Sequence, residues 1–247
     1  MRTCQAIGSA LAMFAVVVCV ACSNSPGRPA QDSAVVPPDQ IVNFSVLYGQ
    51  NCAGCHGPNG EGGATIALAD PVFLTIADDA VIRQTITNGV SGTPMPAFAQ
   101  SAGGMLTDKQ IDVIVRGIRS WAKPDTLSNA NPPPYASQVA GDPGRGAAAY
   151  AIYCSSCHGP DGQGGRKASS IVDGSYLALV SDQDLRTNVI VGRPELGAPD
   201  WRSDVAGHPM SAKEVSDVVA WLAALRPKVP PRPYANLSPK HAERGLP

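Results

Sequence analysis

Residues 48–63 read Tyr-Gly-Gln-Asn-Cys-Ala-Gly-Cys-His-Gly-Pro-Asn-Gly-Glu-Gly-Gly, and residues 150–165 read Tyr-Ala-Ile-Tyr-Cys-Ser-Ser-Cys-His-Gly-Pro-Asp-Gly-Gln-Gly-Gly. The similarity continues beyond these stretches, where Asp70, Leu74, Asp79, Arg83, Gly89 and Phe98 correspond to Asp173, Leu177, Asp182, Arg186, Gly192 and Trp201. A repeat of this length indicates two copies of one domain and not a short-period solenoid.

Each copy contains the motif Cys-x-x-Cys-His. Two thiols at this spacing can form thioethers to a porphyrin, while the histidine that follows binds the iron. The two motifs therefore predict two covalently attached c-type haems as cofactors. The residues predicted to hold them are Cys52, Cys55 and His56 in the first copy and Cys154, Cys157 and His158 in the second.

Three other interpretations of the motif are weaker. A structural zinc ion commonly takes four ligands from two such pairs, but these pairs are predicted to lie in separate domains. A thioredoxin-like redox pair expects a βαβ pattern, which the sequence does not show. Disulfides would suit an oxidising compartment, but they do not explain a histidine in both copies.

Hydrophobic periodicity predicts helices in both copies and no convincing strand, so the expected fold class is all-α. Residues Gln40–Cys52 carry a broad apolar face that leads into the first motif. Capping boxes at Thr107–Gln110 and Ser211–Glu214 predict the start of a last helix in each copy. Shorter helices are expected at Asp78–Thr87 and Asp182–Val189.

Each copy resembles a class I cytochrome c domain, over about Gln40–Trp121 and Gly141–Leu225. In that family an N-terminal helix carries the haem motif and packs against a C-terminal helix, and a methionine from the intervening loop binds the iron opposite the histidine. The resemblance implies two tandem haem domains that carry electrons and do not catalyse a reaction.

In the first domain the resemblance assigns Met95 as the iron ligand opposite His56. Residues 92–98 read Gly-Thr-Pro-Met-Pro-Ala-Phe, and the prolines on both sides of Met95 favour an extended loop. Met105, which follows two glycines, is the competing candidate, and a third interpretation treats both methionines as core filler. A thioether ligand would raise the reduction potential of this haem.

The second domain departs from the family pattern, because Ala198 falls at the position of Met95 and alanine cannot bind iron. Three interpretations stay open: an open or water-bound iron, ligation by Met210, or ligation by His208. Met210 also fits a hydrophobic contact with Val215 beside the helix cap, and His208 could simply face solvent.

Three arginines, Arg83, Arg186 and Arg193, are candidates to neutralise the haem propionates, because buried carboxylates require partners. A solvated helix face would explain Arg83 and Arg186 equally well.

The N-terminus resembles a bacterial lipoprotein signal, with Arg2, a short apolar run and small residues before Cys22. Cys19 stands where this signal usually has leucine. The resemblance implies that Cys22 carries acyl chains as a membrane anchor, while a plain signal peptide and an uncleaved anchor are the alternatives. All three interpretations predict that the protein lies outside the cytoplasm, in the periplasm or its equivalent.

The predicted organisation is a signal peptide at 1–21, a tether at 22–39, a first cytochrome c domain at 40–123, a Pro-rich linker at 124–140, a second cytochrome c domain at 141–226 and a Pro-rich tail at 227–247. A net charge of −1 excludes a nucleic-acid binder that depends on bulk positive charge. We therefore predict a lipid-anchored dihaem electron carrier with redox partner proteins. The alternatives are a second haem that binds or reduces a small ligand, and a fixed cytochrome subunit of a larger oxidoreductase.

Overall fold

Helices joined by Gly-rich loops build the structure, a computed structural model that describes residues 36–123, 127, 130–203, 205 and 207–228. The predicted signal peptide, Cys22 and most of the tether and tail lie outside these residues. Within them the only β-type pairings are isolated bridges, as the all-α prediction requires. None of the described helices is both long enough and apolar enough to cross a membrane.

The two copies have the same order of helices. The first contains α1 (Phe44–Asn51), α2 (Ala53–His56), α3 (Pro71–Ile76), α4 (Asp79–Asn88) and α5 (Asp108–Arg119). The second contains α6 (Pro143–Tyr153), α7 (Ser155–His158), α8 (Gly174–Leu179), α9 (Asp182–Val191) and α10 (Ala212–Ala224). Short 3-10 turns occupy Pro38–Gln40, Gln100–Ala102 and Pro194–Leu196.

The first helix begins later than the sequence predicts. The apolar pattern suggested a helix from Gln40, but α1 starts at Phe44 because the side chain of Asn43 accepts a hydrogen bond from the backbone N–H of Val46 at 3.0 Å. An N-cap of this kind fixes where the helix starts, whereas apolar residues such as Ile41 continue the pattern before it.

Side-chain caps determine where the last helix of each domain begins, at the residues that the sequence predicts. Thr107 and Ser211 both form complete capping boxes, with Gln110 and Glu214 as their partners. Ser181 forms a further box at the start of α9, which the sequence analysis did not identify. The apolar positions predicted to face the core of the last helices are all buried: Ile111, Ile114, Val115 and Ile118, and Val215, Val218, Val219 and Leu222.

The first and last long helices of each domain pack together, as the resemblance implies. Their close approach depends on glycine, since a Cβ atom added to Gly146 would lie 2.0 Å from the backbone oxygen of Asp217. Aromatic rings fill the remaining space at the crossing, where Tyr48 and Trp121 meet edge to face with their centroids 5.0 Å apart. In the second domain Tyr150 and Trp221 lie 4.4 Å apart.

The two domains also contact each other, and the described residues from 41 onward form one compact unit. Helix α3 of the first domain packs against α9 of the second. Between them, the backbone oxygen of Tyr135 accepts hydrogen bonds from Arg186 and Gln183, both at 2.9 Å. This part of the Pro-rich segment is therefore bound to the second domain.

Candidate haem sites

The two Cys-x-x-Cys-His motifs form matching helical turns. In the first, the backbone N–H groups of Cys55 and His56 both donate to the oxygen of Cys52, at 3.2 and 3.0 Å. The second motif repeats these distances between Cys157, His158 and Cys154. All four thiols are free, so the structure gives no support to the disulfide interpretation. Each turn therefore presents two thiols and one imidazole together.

Both motif histidines are oriented by a backbone carbonyl. Nδ1 of His56 lies 3.1 Å from the oxygen of Ile66, and Nδ1 of His158 lies 2.8 Å from the oxygen of Ser169. Because a carbonyl only accepts, Nδ1 carries the proton and Nε2 keeps its lone pair for a metal. Burial lowers the pKa of His56, which favours the neutral imidazole that binds iron.

The first cysteine of each motif lies in an apolar environment. Burial, with a smaller contribution from the neighbouring thiol, raises the pKa of Cys52 to about 12 and that of Cys154 to about 11. Such thiols differ from reactive redox cysteines, in which the pKa is lowered. Among the described residues no group of three or more His, Cys, Asp or Glu side chains is placed to hold a metal ion, so the zinc interpretation also gains no support. Two thiols, the first of them partly buried, and an imidazole oriented by a backbone carbonyl fit haem c.

The loop after each motif folds back against the turn that carries it. Gly57 adopts a φ of 81°, and the hydroxyl of Tyr48 donates to its backbone oxygen at 2.9 Å. Gly159 and Tyr150 repeat this arrangement in the second domain. Neither tyrosine stands out as a functional residue in the sequence, although both copies place one four residues before the first cysteine.

Met95 and Met105, the two candidate ligands of the first site, have different surroundings. Met95 is partly buried, and its loop is pinned by hydrogen bonds from Val90 N–H to the oxygen of Met95 and from Met95 N–H to the hydroxyl of Thr93, at 3.0 and 3.2 Å. The side chain of Met105 is 80% exposed. To bind an iron held at His56, the side chain of Met105 would have to leave its exposed position.

In the second domain Ala198 takes the place of Met95. The backbone N–H of Arg193 donates to the oxygen of Ala198 at 3.0 Å, which reproduces the bond between Val90 and Met95. The sequence alignment of these two residues is thus supported by the backbone hydrogen bonds of the two loops.

Neither alternative ligand occupies the position of Met95. Met210 N–H donates to the oxygen of Trp201 at 2.7 Å, just as Leu106 N–H donates to that of Phe98. Met210 is 6% exposed and Leu106 is 5% exposed, so Met210 fills the same core position as leucine does in the first domain. His208 is exposed, in agreement with the interpretation that it faces solvent.

The three candidate arginines have different surroundings. Arg83 pairs with Asp112. Arg186 is 3% exposed, so a solvated helix face does not describe it, and its guanidinium donates to Ser216 and to the backbone oxygens of Pro134 and Tyr135. Arg193 pairs with Glu195 and also reaches the first domain. Backbone acceptors of this kind leave no trace in a sequence, which is why these contacts were not predicted.

Comparison with known proteins agrees with the architecture. The chain is 30% identical to "Cbb3-type cytochrome c oxidase subunit FixP" of Sinorhizobium medicae, over 58% of this chain and 50% of that protein. It is 32% identical to "Cbb3-type cytochrome c oxidase subunit CcoP" of Rubrivivax gelatinosus, over 56% and 40%. It is 24% identical to "Cytochrome bc1 complex cytochrome c subunit" of Mycobacterium bovis, over 71% and 60%. The chain thus spans about half the length of these relatives.

A family match covers both domains. The family described as cytochrome C oxidase, cbb3-type, subunit III matches residues 39–116 and 141–222, which is well over half of the chain. Each matched segment contains one Cys-x-x-Cys-His turn and the paired first and last helices around it. The chain belongs to this family of c-type cytochromes, which transfer electrons through covalently bound haem.

Proposed function

We propose that the chain passes single electrons between redox partner proteins outside the cytoplasmic membrane, through two c-type haems. The observation that carries the proposal is the duplicated turn, in which two free thiols accompany a histidine whose Nδ1 is bound to a carbonyl. Relatives named as subunits of cbb3-type oxidases and of a bc1 complex support a respiratory partner.

Each haem, when bound, supplies an iron that gains and loses one electron. The cysteines attach the group covalently, and the carbonyls of Ile66 and Ser169 hold the two histidine rings in the orientation that ligation needs. In the first domain a thioether from Met95 would stabilise the reduced iron and raise its potential. Electron transfer of this kind requires no acid–base group, so the chain acts as a carrier and not as an enzyme.

A second function is favoured by one observation, the alanine at position 198. Since Met210 fills the core position of Leu106 and His208 is exposed, we propose that the second iron has an open or water-occupied distal side. Such an iron could bind a small ligand and act as a sensor or a reductive site, in addition to relaying electrons.

The cellular setting is also part of the proposal. Cys22 would carry acyl chains that hold the haem domains at a membrane surface, where a tether raises the local concentration of membrane partners. The names of the relatives further suggest that the chain acts as a fixed cytochrome subunit of a larger oxidoreductase. Co-purification from solubilised membranes would distinguish a bound subunit from a free carrier.

The first test is a haem count by pyridine haemochrome. Wild-type protein should contain two haems for each chain, and the variants C52A/C55A and C154A/C157A should each retain one, because the motifs are separate attachment sites. A count of zero in the wild-type protein would overturn the whole proposal.

The second test is carbon monoxide binding to the dithionite-reduced protein. We expect one haem to bind promptly, and we expect the variant A198M, which restores a thioether at the position of Met95, to prevent it. If neither wild-type haem binds carbon monoxide, the second iron is closed and only the relay function stands.

A further inference from the structure

One side chain of the second domain reaches the haem-attachment loop of the first. The guanidinium of Arg193 donates from Nη2 to the backbone oxygen of Gly63 at 2.7 Å, and it pairs with Glu195 through Nε. The carboxylate of Glu195 also lies against this loop, because a Cβ atom added to Gly62 would come within 2.8 Å of it. The side chain of Arg193 is 17% exposed, whereas Gly63 is exposed, so the contact lies at the edge of the interface between the domains.

Gly63 is close to one of the residues that attach the first haem. A Cβ atom added to Gly63 would lie 2.8 Å from the backbone oxygen of Cys55, and that oxygen accepts a hydrogen bond from Thr65 at 3.2 Å. Gly63 N–H in turn donates to the oxygen of Thr65. A short series of hydrogen bonds therefore connects Cys55 with the guanidinium of Arg193.

The other end of this series lies in the distal loop of the second site. Arg193 and Ala198 exchange two backbone hydrogen bonds, both 3.0 Å long, across the loop that corresponds to the Met95 loop of the first domain. Val90 is the equivalent of Arg193 in the first domain and has no group that could make such a contact. The first domain therefore has no equivalent of the contact that Arg193 makes.

We propose that Arg193 is a positioning residue for electron exchange between the two haems, an inference that rests on the proposed function. By binding Gly63 it fixes the attachment loop of the first haem against the distal loop of the second. With both haems bound, one haem would lose the electron that the other gains, and Arg193 would hold together the two loops between which the electron passes. Partner proteins supply the electron at one haem and remove it at the other.

Further contacts support a fixed arrangement of the two domains. The phenol of Tyr135 lies beside the side chain of Thr85 in the first domain, while its backbone oxygen accepts hydrogen bonds from Arg186 and Gln183 of the second. These contacts support the joint between the domains, and Arg193 adds the contact that reaches a haem-attachment turn. Loss of Arg193 should therefore loosen the approach of the two haem loops without separating the domains.

The test uses the full haem-loaded protein and pulse radiolysis that reduces less than one haem for each chain. The rate of equilibration between the haems should fall roughly tenfold or more in R193A, because small displacements of reacting groups have large effects on rate. R193K, which keeps a donor for the oxygen of Gly63, should recover part of the rate. R116A, which removes the same charge from an exposed position on α5, should behave as wild type.

E195A is the second variant, since it removes the carboxylate that holds the guanidinium and leaves Arg193 in place. E195A should also slow equilibration between the haems, but less than R193A does. If R193A does not fold, the rate in E195A tests the role of Arg193. Unchanged rates in both variants, or an equal loss in R116A, would overturn the role of Arg193. A haem count below two in the wild-type protein would instead contradict the proposed function.

Discussion

Two methionines of the first domain differ most clearly at the scale of single residues. Met95 is partly buried in a loop pinned by Val90 and Thr93, whereas Met105 is exposed. We expect M95A to lower the potential of one haem, because the thioether that favours ferrous iron is lost. The same variant should increase carbon monoxide binding from one haem to both, and redox titration with optical detection would measure the two effects together.

M105A is the matched control for this substitution, since it removes the same side chain from the surface of the same domain. It should leave both potentials and the spectrum as in wild type. If M95A gave an unchanged titration and spectrum, Met95 would not be a ligand, and a change in M105A would transfer the role to that residue.

Some of the residues in the candidate sites could be recognised from the sequence, and others only from the structure. The motif residues could be recognised in the sequence because their spacing reflects covalent chemistry, whereas Met95 was proposed from the family resemblance and stays a prediction. A core position for Met210 was one of the open interpretations, because Met210 precedes the cap Ser211 as Leu106 precedes Thr107, and its 6% exposure supports that interpretation. Methionines look alike in a sequence, whereas the structure separates the buried Met210 from the exposed Met105.

The first and last long helices of the second domain cross so closely that only glycine fits at the contact. Because a Cβ atom on Gly146 would meet the backbone oxygen of Asp217 at 2.0 Å, G146A must force α6 and α10 apart. We expect it to lower the free energy of unfolding by about 2 kcal/mol. Chemical denaturation of the haem-loaded protein, followed by circular dichroism, would measure the loss.

G49A is the control at the scale of elements. Gly49 lies in α1, a Cβ atom there would meet nothing within 4 Å, and the second domain already has Ala151 at the corresponding position. We expect this substitution to raise the free energy of unfolding by about 0.5 kcal/mol, since alanine loses less backbone entropy in a helix. An equal loss of stability in both variants would contradict the steric explanation.

Helix boundaries were predictable from the sequence where a local cap determines them. Thr107 and Ser211 interact with residues three positions away, so the sequence alone contains both partners. The start of α1 was predicted too early because the apolar pattern runs past the cap at Asn43. Apolar periodicity indicates which face is buried, and capping side chains indicate where the helix begins.

At the scale of the whole molecule, the repeat and the two domains were evident in the sequence, but the contacts between them were not. Arg193 and Gly63 are 130 positions apart, and the acceptor is a backbone oxygen that any residue would offer. Arg186 binds the oxygens of Pro134 and Tyr135 in the same way. Side chains that recognise backbone leave no pattern in a single sequence, so the joint between the domains emerges only from the structure.

Cys22 is the residue through which we propose that the whole chain is held at a membrane. If Cys22 carries more than one acyl chain, wild-type protein should remain with the membrane fraction after a carbonate wash. A single acyl chain gives only weak membrane binding, whereas two or more anchor a protein stably. C22A should appear in the soluble extracytoplasmic fraction with the same haem content. C19A, which changes the neighbouring cysteine at the position where this signal usually has leucine, should remain membrane-bound. A membrane-bound C22A protein would instead show that an uncleaved N-terminal segment or a partner protein provides the anchor.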